Sequence, residues 1–547
     1  MNTMKTIKKL VLKNFKRFRT LEIDFDKELN ILIGGNETGK SSVLQALDIV
    51  MSCSRSKVET LGLEALFNAD CIDEYLKKMP QNIADLPEMV IEIYLEGIIA
   101  HELDGRNNIK QSETLAPNGI IAHELDGRNN SKAIGHVGIK LVCKPVEEYT
   151  ADIRKILAEN HESFPFEYYD IRFSTFADNS VHPNKKPLNH LLIDSAQINN
   201  DYATREYTRS MYVAHATVVQ RNRHGFEYRQ AKSKFKEEIL KDLNEPLQEY
   251  QFGVRTSPKA SIETDIIITE DDIPIERKGK GRQCFIKTEF ALHDREHSLD
   301  ILLLEEPENH LSHIHMRKLI ERIKASSKKQ LLIATHSSLI STRLNLKKAI
   351  ILSEKNTEKP ISLKELSGET AEFFMKAPDN NVLELALCKK AILVEGDAEF
   401  ILIEALYKKH TNDSSLDADG VHVISVGGTS FKRYMELAKL LGIRIAVIRD
   451  NDGDHQANCI DNYTEYVSES IRVFADEDNS RYTFEVCMYQ DNKAVCDAKF
   501  SLRRRTLSVE DYMLKNKADV AFFLLKDCAN DLVAPKYFQQ AAEWIRL

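Results

Sequence analysis

Residues 31–51 carry the pattern that most narrows what this chain can become. An apolar run, Ile31-Leu32-Ile33, feeds a glycine loop, Gly34-Gly35-Asn36-Glu37-Thr38-Gly39-Lys40-Ser41, and the loop opens a segment, Ser42 to Met51, read as a helix. A strand, a glycine turn and a helix in that order make a phosphate cradle. Backbone N–H groups curl around the anion, Lys40 supplies a point charge to the β and γ oxygens, and Ser41 offers its hydroxyl to magnesium. Gly34, Asn36, Gly39, Lys40, Ser41 and Ser42 are therefore the expected ATP contacts.

Two further apolar runs end in chemistry. Ile301 to Leu304 leads into Glu305-Glu306-Pro307-Glu308-Asn309-His310-Leu311, and Gln330 to Ala334 leads into Thr335-His336-Ser337. Two carboxylates at the end of a buried strand stand where magnesium and an attacking water would be. Glu305 is expected on the metal side, acting through water, Glu306 as the base for hydrolysis, and His336 within reach of the γ-phosphate. Glu305 follows Lys40 by 265 positions, more than a minimal P-loop domain needs, so an inserted subdomain is expected at roughly 150–260. Its strongest helical stretch runs from Lys232 to Leu243 and stops before Pro246, with its lysines read as a solvated face. Ahead of it, Gly97 to Asn108 recurs unchanged at Gly119 to Asn130, read as a duplicated hairpin or loop, or as a pair of equivalent binding tips.

The charge balance limits the partners. A net charge of -9 excludes coating nucleic acid by bulk charge, so DNA contacts must be local, at stretches such as Arg221 to Lys236 or Arg503-Arg504-Arg505. Nine cysteines without a C-x-x-C pair fit a reducing compartment and no zinc site. No signal-like N-terminus and no apolar run of about 18 residues occurs, so a cytoplasmic protein without a membrane partner is expected.

From about Asn380 strands and helices alternate: Ala391 to Val394, a helix from Ala398 to Lys408, Val421 to Val426, a helix from Ser430 to Leu440, and Arg444 to Arg449. This order implies a parallel sheet. The division is expected near 370–385, around Ser367-Gly368 and Pro378-Asp379-Asn380, giving a P-loop domain over 1–375 and a second α/β domain over 385–547. Val394-Glu395-Gly396-Asp397-Ala398-Glu399 follows the first of these strands and Asp450-Asn451-Asp452-Gly453-Asp454 the third, 55 positions later. Both lie at carboxyl ends of parallel strands, where open α/β sheets place their sites. Carboxylates gathered there repel one another unless divalent cations neutralise them, and hard oxygen ligands favour Mg2+ or Mn2+.

The P-loop, the Glu305-Glu306 strand end and an opening Asn14-Phe15-Lys16-Arg17-Phe18 resemble the ABC-type ATPase heads of the SMC, RecF and Rad50 kind. The resemblance implies ATP bound between two subunits, hence a homodimer or higher homo-oligomer, with the insert as dimerisation element. The signature helix of such heads lacks its LSGGQ here. Lys278-Gly279-Lys280-Gly281-Arg282-Gln283, ahead of a helical Phe285 to Leu292, is either its counterpart or a flexible basic loop.

The Glu-Gly and Asp-x-Asp pair resembles the Toprim domain. An ABC-type head followed by Toprim is the arrangement of the OLD (overcoming lysogenization defect) family, which includes nucleases of Gabija and retron-associated antiphage systems. That resemblance implies Glu395, Asp450 and Asp452 at one metal ion, with Glu395 also catalytic, and Glu399 with a later acid at a second. Glu510, in Thr506-Leu507-Ser508-Val509-Glu510-Asp511, is the expected later acid, and Lys536 stabilises charge on the scissile phosphate. The implied activity is metal-dependent hydrolysis of phage or other foreign DNA, controlled by a retron reverse transcriptase with its RNA-DNA hybrid or by a UvrD-like helicase. Two other readings stay open at this stage: a RecF-like DNA clamp that does not cleave, and a topoisomerase-like enzyme using Tyr434 or Tyr512.

Overall fold

A computed structural model describes residues 4–78, 81–97, 125–159, 162–181, 183, 187–195, 201–247, 250–255, 261–292, 299–325, 329–353, 358–377, 381–411, 413–501 and 506–547. Most of the 97–130 duplication and all of Arg503-Arg504-Arg505 lie outside the described residues. The chain forms two compact units, Met1–Ile340 with Leu352–Pro360, and Ser341–Ile351 with Ile361–Leu547.

Among its described residues the first unit contains two large sheets and a short two-stranded one, Thr269–Glu270 with Ile273–Pro274. In the large antiparallel sheet, Thr6–Phe15 pairs with Phe18–Asp24 on one side and Met89–Glu96 on the other, which pairs in turn with His136–Pro145, and that strand with Tyr169–Thr175. In the other large sheet four strands run parallel: Leu29–Ile33, Gln330–Thr335, Ile301–Glu305 and His190–Asp194 lie side by side in that order. The first three are apolar and buried nearly throughout, as strands covered on both faces must be. Gln330 ties the two large sheets together. Its amide accepts from the Ile7 N–H at 2.8 Å and donates to the carbonyls of Ile7 and Asp26, both at 2.8 Å.

Helix Lys40–Ser52 starts as soon as Gly39 has turned the chain at φ 95, two residues earlier than the apolar pattern indicates. In the expected insert the structure corrects the helical stretch more strongly. The helix is Val218–Glu238, opened by a capping box between Thr217 and Gln220, and it ends before Leu243. None of its residues is buried within the chain, so no apolar face of period 3.6 marks it in the sequence.

The second unit is a four-stranded parallel sheet, ordered Val421–Ser425, Lys390–Val394, Arg444–Ile448 and Ile471–Phe474. The first three strands and the helices Asp397–His410 and Phe431–Leu441 match the sequence pattern to within a few residues; the fourth strand was not read. Side chains from the sheet (Ile392, Val394, Ala446, Ile448), from helix Asp397–His410 (Leu402, Leu406) and from the C-terminal segments (Phe484, Phe538, Ile545) form one core. Ser367 caps helix Gly368–Lys376 and donates its hydroxyl to Glu436 at 2.9 Å.

Candidate functional site

In the first unit the glycine loop is shaped by close approach. A Cβ on Gly34 would lie 2.3 Å from Thr38 Oγ1, and one on Gly39 would lie 2.4 Å from the Phe18 ring. Lys40 Nζ donates to the carbonyls of Gly34 and Gly35, each at 2.9 Å, which fixes the ammonium across the loop. Burial lowers its pKa, against the pull of Glu306, Glu308 and Glu305. Helix Lys40–Ser52 has no side-chain N-cap, so its leading N–H groups are oriented for an anion, and the cradle fits a nucleotide phosphate. Arg17 packs against Gly39, and its Nε has no hydrogen-bond partner among the described residues.

The strand ends meet this loop. Burial raises the pKa of Glu305, and a hydrogen bond with Ser41 opposes that shift, so this pair sits where a phosphate-bound cation would be held. Glu306, in left-handed backbone at φ 45, is oriented by Asn309 Nδ2 at 2.7 Å and faces His336 Nε2 at 3.3 Å. Ser41, Glu305, Glu306 and His336 are thus brought together as the sequence reading expects. Glu308 was not singled out. One of its oxygens accepts from Thr335 Oγ1 at 2.6 Å, from the His336 N–H at 2.9 Å and from the Ser337 N–H at 3.1 Å, locking the loop that presents His336.

The glycine-rich signature candidate is neither a flexible loop nor a turn ahead of its helix. The helix is Lys280–Leu292, so Gly281, Arg282 and Gln283 lie in its first turn. Lys278 and Arg282 both pair with Glu270, and Gln283 donates to the carbonyls of Glu276 and Lys278.

In the second unit Glu395 and Glu399 leave the end of Lys390–Val394, and Asp450 and Asp452 leave the end of Arg444–Ile448, on the neighbouring strand. Glu399 and Asp450 are buried, at 6% and 8% exposure. Burial, then repulsion from the surrounding acids, pushes the Glu399 carboxyl up to about 7 and that of Asp450 to about 8, and raises Glu395 as well. The turn after Asp450 is built by Asn451, whose side chain donates to the carbonyls of Asp476 and Asp478 and accepts from the Gly453 N–H. Asp454 accepts from the Ala457 N–H and serves that turn.

Three participants were not foreseen. Glu485, 3% exposed at the start of helix Phe484–Asp491, joins the acids and repels both Glu399 and Asp450. Lys517 reaches Glu485 at 3.0 Å; burial works against its charge, but Glu485, Asp450 and Glu399 outweigh it and raise its pKa. Arg449 lies between Glu395, at 3.4 Å, and Asp452, at 3.1 Å. By contrast, among the described residues no hydrogen bond or ion pair joins Glu510, in the first turn of helix Val509–Lys515, or the exposed Lys536 to this group. No three acid, imidazole or thiol side chains among the described residues form a ready-made metal cage. The donor chemistry nevertheless fits a hard divalent cation: buried acids at carboxyl strand ends ionise together only when one is supplied. Glu399, Asp450 and Glu485 are the residues placed to hold it, with Glu395 beside them and paired to Arg449.

Two family models divide the chain as these two sites do. One, described as AAA ATPase domain, matches residues 4–340. The chain belongs to that family. The other, described as Overcoming lysogenization defect protein-like, TOPRIM domain, matches residues 387–452, which include Glu395, Glu399, Asp450 and Asp452. An AAA-type ATPase domain is thus joined to an OLD-like Toprim domain, an architecture that implies use of nucleotide and divalent metal. A curated relative, the DNA replication and repair protein RecF of Clostridium kluyveri, is 34% identical over 92 residues, 17% of this chain. The chain spans only 24% of that relative's length. Among solved structures, the C-terminal region of the Burkholderia pseudomallei OLD protein aligns at 20% identity and TM-score 0.25, covering 29% of this chain and 98% of that one. An SMC head domain from Thermotoga maritima aligns at 12% identity and TM-score 0.28, covering 64% and 94%. No helix among the described residues is long and apolar enough to cross a membrane.

Proposed function

We propose that this chain is a cytoplasmic, ATP-binding and ATP-hydrolysing DNA endonuclease that depends on Mg2+ or Mn2+ and acts as an antiphage effector. The observation that carries the reading is the group of buried acids Glu399, Asp450 and Glu485, with half-buried Glu395, gathered where two adjacent parallel strands end and helix Phe484–Asp491 begins. Acids buried together in this way favour a site that binds a cation or moves a proton over a scaffold that only binds DNA. When bound there, a divalent cation supplies Lewis acidity and an activated water for phosphodiester hydrolysis. The chain's own part is to hold those carboxylates in place through Asn451 and the Phe484 N–H, and to present Lys517 and Arg449 as fixed positive charges.

In the ATPase domain Lys40 and Ser41 would take the phosphates and their cation, Glu305 the metal side, and Glu306, aimed by Asn309 and His336, the proton of the attacking water. DNA as the substrate is supported by the resemblance to RecF and to the OLD-like Toprim domain, and defence by the latter alone. A homodimer is supported by helix Val218–Glu238, which buries nothing within the chain and exposes Val219, Phe226 and Phe235. The basic stretch Arg221 to Lys236 lies on this helix with several of its charges already paired, Arg223 to Glu227 and Lys232 to Asp265. The topoisomerase-like alternative loses its Tyr434 candidate, whose ring is fully buried against Phe374, and keeps only the half-buried Tyr512.

The test is nicking of supercoiled plasmid with Mg2+ or Mn2+. Asp450→Ala is expected to abolish it while ATP binding persists, and Lys40→Ala to remove ATP binding. Full cleavage by purified Asp450→Ala would refute the site.

A further inference from the structure

Arg449 is the most completely enclosed cation among the described residues of the Toprim unit. Its side chain is 5% exposed. One guanidinium nitrogen faces Glu395 Oε2 at 3.4 Å, the other faces Asp452 Oδ2 at 3.1 Å, and Nε donates to the Asn458 carbonyl at 3.4 Å. The rings of Phe431 and Tyr463 stand 6.0 Å from its centre. A guanidinium stays charged at any pH a protein survives, and its planar fork suits bridging two carboxylates.

The cause lies in strand geometry. Successive side chains point to opposite sides of an extended segment. Asp450 therefore turns to the Phe484 N–H, at 2.8 Å, while Arg449 turns to Glu395 and to the Asp452 carboxylate returned by the left-handed turn at φ 49. The acids divide accordingly. Glu395 and Asp452 are bridged by Arg449, whereas Glu399 and Asp450, with Glu485 beside Lys517, are left for an added cation. Five carboxylates then face two resident cations, so a single divalent ion brings the group to within one charge of neutrality.

Resting on the metal-dependent nuclease reading above, we propose that Arg449 is a built-in cation standing where a second metal would otherwise be bound. The Toprim unit of this chain accordingly takes one divalent ion, on the side of Glu399, Asp450 and Glu485.

The test is titration of the nucleotide-free full chain with Mn2+, following the free-ion paramagnetic signal. The wild type is expected to bind one equivalent, and Asp450→Asn to lose it. Arg449→Gln is expected to take up a second equivalent and Arg449→Lys to stay at one. Two equivalents in the wild type, or one in a folded Arg449→Gln, overturn the role of Arg449 and leave the nuclease reading standing. No Mn2+ bound, or binding untouched by Asp450→Asn, removes the metal site and the nuclease reading with it. The wild-type stoichiometry decides the matter even if Arg449→Gln does not fold.

Discussion

The backbone N–H of Phe484 donates to Asp450 Oδ1 at 2.8 Å, and this one bond fastens helix Phe484–Asp491 to the end of the strand that carries the Asp-x-Asp turn. It also sets Glu485 among Glu399, Asp450 and Lys517. Glu485→Gln removes a carboxylate while keeping its shape. Plasmid cleavage is expected to fall by about 10–100-fold, the range for groups that support a metal ligand set. ATP hydrolysis is expected to persist, and the melting temperature to stay level or rise as a buried like charge disappears. Unaltered cleavage would take Glu485 out of the site.

The raised pKa values of Glu399, to about 7, and Asp450, to about 8, fix the sign of a pH effect. Both exceed the ordinary carboxylate values of 4.5 and 3.8, so the folded chain keeps protons that the unfolded chain has released. Stability of the metal-free protein should therefore fall as pH rises from about 4 to about 8, because the unfolded state binds fewer protons over that window. Metal affinity should strengthen over the same range, since the cation must displace those protons. Thermal melts in chelator at about pH 5.5 and about pH 8, repeated with Mn2+, test both directions. A chelator profile that rises with pH would contradict the burial of these acids.

Gly281 has no room for a side chain: a Cβ there would lie 2.0 Å from the His310 carbonyl oxygen. Helix Lys280–Leu292 thus begins in contact with the turn that follows Glu306. Gly281→Ala is expected to destabilise the protein by about 1–3 kcal/mol, the range for forced overpacking, and to slow ATP hydrolysis by shifting that turn. Gly279→Ala, two residues away with nothing within 4 Å of its Cβ, is expected to be neutral. Equal melting curves for the two variants would show that the contact gives way freely.

Local signals made much of this legible. Ile31-Leu32-Ile33 before a glycine loop, and apolar runs ending in Glu305 or Glu395, announce buried strands and their chemistry within a few residues. The residues that escaped depend on partners far along the chain. Lys517 matters because Glu485 is 3.0 Å away across 32 positions, and Gln330 because it reaches Ile7. Strand Ile471–Phe474 is short and largely half-buried, so neither a continuous apolar run nor a clean alternation marks it. Helix Val218–Glu238, with no buried residue, has no core-facing stripe to find. Glu308 is one acid among three in Glu305-Glu306-Pro307-Glu308, and sequence cannot tell which of them faces inward to bind a loop.

Glu308 supports the last prediction. A single carboxylate oxygen holds Thr335, His336 and Ser337, the segment that brings His336 to 3.3 Å from Glu306. Glu308→Gln keeps one oxygen acceptor but loses the charge that strengthens all three bonds, while Glu308→Ala removes the acceptor altogether, with the Ser337 N–H keeping its bond to Thr335 Oγ1 at 2.9 Å. A donor left without its acceptor costs about 1–3 kcal/mol when buried, and these lie in a partly exposed segment, so Glu308→Ala should lower stability by no more than about that much. Because Lys40 and Ser41 belong to a different loop, ATP should still bind with nearly wild-type affinity. Turnover should drop by about 10-fold in Glu308→Gln, an effect of about 1.4 kcal/mol on the barrier, and further in Glu308→Ala. Equilibrium ATP binding measured beside steady-state hydrolysis separates the two effects. A matched loss of both would mean that Glu308 supports the fold of the whole pocket rather than the alignment of His336 with Glu306.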